Sequence, residues 1–249
     1  MPAPTLPFAA VGAPPVGLGA GITHVGLVRQ RNEDAILTDP TGALWAVADG
    51  MGGHGSGDVA SDIVIERLST APDGADPLDV LEALLTEAND IIYRLAGERG
   101  QTMGATVVAL MIENAVGYLA WAGDSRAYLL RNGRLRLLTR DHTVIQSLVE
   151  DGVIRPEDAR GHAEANVVTR AVGAEPEIEI DVATVPFLAG DRMILCSDGL
   201  TGSVDDGTIA ALLGAAATPE EACRTLLRAS LEEGAPDNVS VVAVFMDAG

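Results

Sequence analysis

Four strand-like runs of this chain meet an aspartate where they end or begin. LWAVADG closes on Asp49-Gly50, LAWAGDS on Asp124 and MILCSDG on Asp198-Gly199, while APDNVSVVAVF places Asp237 just before a run starts. In an antiparallel sheet the end of one strand lies beside the start of its neighbour, so carboxylates distant in sequence can share one edge. Carboxylates a few ångströms apart repel one another strongly, and a hard divalent cation removes the conflict. An oxygen-only donor set without His or Cys points to Mg²⁺ or Mn²⁺, admits Ca²⁺ and disfavours Zn²⁺. A single Asp-Gly pair is ordinary turn chemistry. Its recurrence at the ends of apolar runs is what turn chemistry leaves unexplained.

The stretch ADGMGGHGSG sets five glycines, between residues 50 and 57, against Asp49. Glycine density before a helix suits a backbone that approaches phosphate, yet Asp49 repels a bare phosphate. Cations between the two reverse the local sign and let both share a site. The Gly50 carbonyl is then a further candidate donor. Two metals about 3.5–4 Å apart can also hold a hydroxide that attacks phosphorus in line. Gly50, Gly52 and Gly55 satisfy G-x-G-x-x-G as well. The dinucleotide reading fails because the helix from 58 is followed by a second helix, not by a parallel strand.

The elements that must position these groups are legible from periodicity. Val-rich or nearly continuous apolar runs at 21–28, 43–48, 105–112, 115–122, 125–131, 134–139, 178–185, 192–197 and 239–246 read as strands, several covered on both faces. Short links such as ENA and RNGR read as hairpin turns. Helices are expected over about 58–70, 77–97, 144–150 and 219–232. The second is opened by Asp76-Pro77, the third by Thr143 with Gln146, and the last by Thr218-Pro219 with Glu221. Helices arrive in pairs between blocks of antiparallel strands. That pattern implies two packed antiparallel sheets with helices outside them. Residues 1–20, rich in Pro, Ala and Gly, read as a flexible arm, and 21–249 as one domain. The polar stretch 141–178 is an excursion from the core.

The chain has 249 residues, a net charge of −20, and 16 cations that are all arginine. Such a surface repels nucleic acid and anionic membrane. Nearly half the residues are apolar, enough to fill a substantial core. Cys196 and Cys223 are too few for a disulfide framework and read as buried thiols. With no apolar stretch long enough to span a bilayer and no cationic leader, a cytoplasmic, monomeric protein is expected.

RQRNEDA, ADGMGGHGSGDVAS, GATVV, WAGDSRAYLLRNG, LTRDHT, CSDGL and DNVSVV follow one another in an order that resembles the metal-dependent protein serine/threonine phosphatases of the protein phosphatase 2C type, in their bacterial form. The likeness covers roughly residues 20–246. It implies an α+β fold, a four-layer α-β-β-α sandwich of two antiparallel sheets, with two to three Mn²⁺ or Mg²⁺ ions at one end. By the resemblance, Asp49 bridges two metals, Gly50 offers its carbonyl, and Asp198 and Asp237 bind the first metal. Asp124 helps hold a third, Asp34 acts largely through water, and Glu33 supports that water. Arg29 resembles the arginine that grips the substrate phosphate, a task its guanidinium fork suits. Asn238 is read as bracing Asp237. Met51 stands where many eukaryotic members carry a histidine. His54, three residues on, is either a proton donor to the leaving alkoxide or a loop histidine bonded to backbone. His24, His142 and His162 read as structural. The excursion at 141–178 corresponds to the family's variable flap.

The function so implied is hydrolysis of phosphoserine and phosphothreonine in proteins by a metal-bound hydroxide. The partners are phosphorylated proteins, with a Ser/Thr kinase or its targets among them. Two other readings stay open at this point: a catalytically silent phosphoprotein-binding module and a structural Ca²⁺ domain.

Overall fold

A computed structural model describes residues 16–39, 42–53, 55–155, 158, 162, 164 and 167–247. The first sheet runs β2 (Asp34–Thr38), β3 (Leu44–Gly52), β4 (Met103–Glu113), β5 (Val116–Ala122) and β8 (Asp181–Pro186), in that order. The second runs β1 (Val16–His24), β10 (Val239–Asp247), β9 (Arg192–Cys196), β6 (Arg126–Arg131) and β7 (Arg134–Leu137). Every pairing is antiparallel.

Alternation along the central strands explains why they read as unbroken apolar runs. In β4, Val108 and Leu110 meet Val242 and Val244 of β10 in the core between the sheets. Val107 and Ala109 point the other way, into a core shared with α1 (Gly57–Leu68) and α2 (Pro77–Arg99). Val241, Ala243 and Phe245 of β10 likewise face α4 (Asp198–Ser203), α5 (Asp206–Ala215) and α6 (Pro219–Glu232). Strands covered on both faces need apolar residues at successive positions. The result is the expected α-β-β-α sandwich.

The expected capping residues act as caps. Asp76 accepts from the amides of Leu78 and Asp79, and α2 ends on Gly100 in the left-handed region at φ 61°. Thr143 accepts from Gln146 N at the start of α3 (Val144–Glu150), and Thr218 accepts from Glu221 N at the start of α6. The Glu221 carboxylate accepts from Ala217 N at 2.7 Å.

Four elements differ from the sequence reading. β1 begins at Val16, inside the stretch expected to be an arm, because its glycines make room for Trp45: a Cβ on Gly19 would sit 2.1 Å from Trp45 Nε1. Residues 1–15 lie outside the described residues. β2 is a strand that was not among the runs read as strands in the sequence. The helices α4 and α5 were not foreseen: DGLTGS carries two glycines, and DGTIAALLGA lacks the polar–apolar contrast that marks a surface helix. The excursion after β7 is pinned to the core by a bridge between Thr143 and Val168, and by a second between Ala105 of β4 and Val172.

Candidate active site

At one end of the sandwich both sheets deliver acidic residues. Asp34 at the head of β2 lies directly opposite Asp49 near the tail of β3. Asp198 follows β9 and Asp237 precedes β10, and these two strands are paired. A Cβ on Gly199 would lie 1.9 Å from Asn238 O, so only glycine lets the start of α4 rest on the segment carrying Asp237. Asp124 occupies the turn between β5 and β6. The electrostatic environment of Asp49 is set by burial and then by Asp34, Asp198, Asp124 and Asp237. The structure thus brings together all five aspartates singled out in the sequence.

Asp34 stitches the sheets. Its Oδ2 accepts from Ser197 Oγ at 2.8 Å and Ser240 Oγ at 2.7 Å, both from the opposite sheet. Its Oδ1 is buried without any hydrogen-bond partner among the described residues. Burial, only partly offset by those two hydroxyls, pushes the Asp34 carboxyl up to about 6. Burial and then Asp237 take Asp198 up to about 6, and burial with Asp198 and Asp141 takes Asp124 up to about 7. Burial and its acidic neighbours hold Asp49 well above the usual carboxylate range.

Raised carboxyls, an orphaned buried oxygen and an all-oxygen donor set fit a hard divalent cation. Among the described residues the acidic groups ring the site and do not close into a ready cage of three donors. Mutual repulsion opposes such closure.

Two guanidinium groups stand beside this rim. Arg29 Nη2 donates to Asp237 Oδ2 at 2.6 Å, with just over half of the Arg29 side chain exposed. A shallow cavity of about 320 Å³ next to it is lined by Arg29, Gln30, Arg31, Glu33, Gly52 and Gly55. Glu33 works largely through its backbone, its carbonyl accepting from Gly50 N at 3.0 Å and from Ser61 Oγ at 2.6 Å. His54 lies outside the described residues.

Several supporting residues carried no sequence signal strong enough to single them out. Ser197 and Ser240 sit next to motif aspartates, but their shared partner Asp34 is visible only once the sheets stack. Asn238 does more than brace Asp237. Its amide nitrogen donates to Val25 O and Arg31 O at 2.9 Å each, and its Oδ1 accepts from Glu33 N at 2.8 Å. Arg126 grips Asp141 through Nε and Nη2, its cationic state favoured against burial by that carboxylate. Its positive charge opposes the upward shifts of Asp124 and Asp198.

His142 ties the base of the excursion to the turn before Asp124. Its Nδ1 accepts from Gly123 N at 3.1 Å, which leaves the proton on Nε2, 3.3 Å from Asp181 Oδ2. The ring stacks on Trp121 at 12° between planes. Burial, and then the charge of Arg170, lower the His142 pKa below 6.5, outweighing Asp181. The folded state therefore binds this proton less readily than the unfolded chain. The stabilisation His142 confers is complete above about pH 6.5 and declines as pH falls towards the folded value. Melting curves from pH 5 to 7.5 should show the wild type's advantage over His142→Asn full at pH 7.5 and shrinking below 6.5. An advantage independent of pH would contradict the neutral assignment.

Stacked antiparallel sheets, helices on both outer faces and an acidic rim at one end define the metal-dependent phosphatase architecture. The chain belongs to the protein phosphatase 2C family, whose pattern matches residues 20–234. It is similar to the serine/threonine protein phosphatase PstP of Mycobacterium tuberculosis, at 41% identity over 225 residues, covering 87% of this chain and 42% of that protein. It is also similar to the serine/threonine phosphatase stp of Listeria monocytogenes, at 35% identity, covering 90% of this chain and 94% of that one. The catalytic domain of PstP in complex with two manganese ions matches with a TM-score of 0.87 at 36% identity, over 94% of this chain and 99% of that one. The chain therefore spans less than half the length of the mycobacterial relative and nearly all of the Listeria one. Among the described residues no helix is long and apolar enough to cross a membrane.

Proposed function

We propose that the protein removes phosphate from phosphoserine and phosphothreonine in proteins, using Mn²⁺ or Mg²⁺. Asp34, Asp49, Asp124, Asp198, Asp237 and the Gly50 carbonyl are the residues proposed to hold the ions. The observation that carries this reading is the buried Asp34 Oδ1, without a hydrogen-bond partner among the described residues, in a cluster of carboxylates that burial and like charge push towards the neutral form. Bound divalent cations would supply the positive charge that admits a phosphate and the activated water that attacks phosphorus.

The chain's own residues do the rest. Arg29 holds the substrate phosphate through its fork of donors, at the edge of the cavity and next to Asp237. Ser197 and Ser240 fix one oxygen of Asp34 and leave the other without a hydrogen-bond partner among the described residues. Arg126 moderates the negative charge around Asp124 and Asp198. His54 is proposed as the donor of a proton to the departing Ser or Thr oxygen. The expected setting is a cytoplasmic monomer acting on the products of a Ser/Thr kinase.

Phosphopeptide hydrolysis should vanish when divalent metal is chelated and return with Mn²⁺. Full turnover in chelator would reject the reading. Phosphopeptide binding without turnover under Mn²⁺ and Mg²⁺ would favour a silent binding module. Ca²⁺ binding with neither would favour a structural domain.

A further inference from the structure

The cavity beside the acidic rim has a second cation that the phosphatase reading does not use. Arg29 and Arg31 both line it, with Glu33 as its one acidic wall. Arg29 is engaged with Asp237. The Arg31 side chain is exposed and makes no hydrogen bond or ion pair to any described residue. Its backbone, by contrast, is anchored, since Asn238 Nδ2 donates to Arg31 O at 2.9 Å. Gly55 opposite it has φ +75°, and a Cβ there would fall 2.4 Å from Arg31 Nη1. The missing side chain is what lets the guanidinium lie across the glycine loop.

On a chain of net charge −20, an arginine without a partner among the described residues is a local positive charge at the edge of the reaction centre. An anionic peptide is repelled by the surface at large and attracted here. The cavity, about 320 Å³, would be about 7 Å across as a cube. Two residues of extended peptide rise about 6.6 Å. A phosphate on Arg29 thus leaves a neighbouring side chain within reach of Arg31.

We propose that Arg31 is a specificity-determining residue that pairs with a second anionic side chain, Asp, Glu or another phosphorylated residue, one or two positions from the phosphoresidue held by Arg29. This rests on the phosphatase reading above. The contact is exposed, so its effect is modest and falls with ionic strength.

The test uses phosphoserine peptides with Glu scanned over two positions on either side, against an all-Ala reference, at low salt with Mn²⁺. The wild type should favour Glu at one or more positions by about two- to fivefold in kcat/KM, chiefly through KM. Arg31→Gln should abolish that ratio, Arg31→Lys should restore part of it, and raised salt should shrink it. Anisotropy of labelled peptides bearing a non-hydrolysable phosphonate should show the same ratio in binding. No preference at any position, or one that survives Arg31→Gln, would overturn the assignment. Failure to hydrolyse any peptide, or an aryl phosphate, would instead remove the phosphatase reading itself.

Discussion

Asp49→Asn should lower kcat about 1,000-fold or more while making the protein melt at a higher temperature in chelator. The first effect follows from removing a proposed bridging donor: about 4 kcal/mol of lost transition-state stabilisation is a thousandfold in rate. The second follows from the carboxylate cluster. Burial and four acidic neighbours disfavour the Asp49 anion, and an amide of the same shape carries no charge to bury.

The pH dependence fixes the sign. Asp34 and Asp198 move from 3.8 up to about 6, and Asp124 up to about 7. The folded chain then holds protons that the unfolded chain releases from about pH 3.8 upward. Their contribution is complete below 3.8 and is lost as pH rises through 6 to 7. For Asp34 alone the shift corresponds to roughly 3 kcal/mol. In chelator the wild type should therefore lose stability between pH 4 and 8, and Asp49→Asn should lose less. Each kcal/mol recovered raises Tm by about 2–4 °C for a chain of this size. Mn²⁺ should reverse the order, since a ligand that binds the native state stabilises it. Scanning calorimetry at pH 5 and 8, with chelator and with Mn²⁺, reads all four arms. A variant that melts below the wild type in chelator at pH 8 would refute the electrostatic account.

That four of the aspartates would meet was legible because Asp49, Asp124 and Asp198 sit where an apolar run ends and Asp237 where one begins, and in an antiparallel sheet the end of one strand lies beside the start of its neighbour. What holds them was not. Asp34 heads a segment too short to announce a strand, so its position opposite Asp49 needed the β2–β3 register. The hydroxyls of Ser197 and Ser240 act on Asp34 across the gap between sheets, a relation that no spacing along one strand encodes. Asn238 was read from its neighbour Asp237, yet its side chain ties three loop carbonyl and amide groups. Arg31 passed as one of sixteen arginines because exposure and the lack of a partner are properties of the folded surface.

The glycine loop shows a subtler gap, and it leads to the other large effect. Its glycines read as room for a phosphate, but the closest approaches made there are of chain to chain. A Cβ on Gly50 would lie 2.0 Å from Gly57 O, 2.4 Å from Gly57 C and 2.6 Å from Glu33 O. All three atoms are backbone, so no rotamer change can relieve the clash. The tail of β3, the start of α1 and the Glu33-Asp34 segment would have to separate, breaking the Gly50 N to Glu33 O bond and the Asp34–Asp49 register. Gly50→Ala should cost about 3 kcal/mol or more, the upper range for overpacking, and should abolish activity because the Gly50 carbonyl and both aspartates move together. Gly53→Ala is the control: nothing lies within 4 Å of its added methyl, so its stability should stay within about 0.5 kcal/mol of wild type. Urea denaturation of the two variants, followed by phosphopeptide hydrolysis with Mn²⁺, makes the comparison. Equal midpoints would mean that this loop is looser than its backbone contacts imply, and that glycine at position 50 serves the ligand and not the fold.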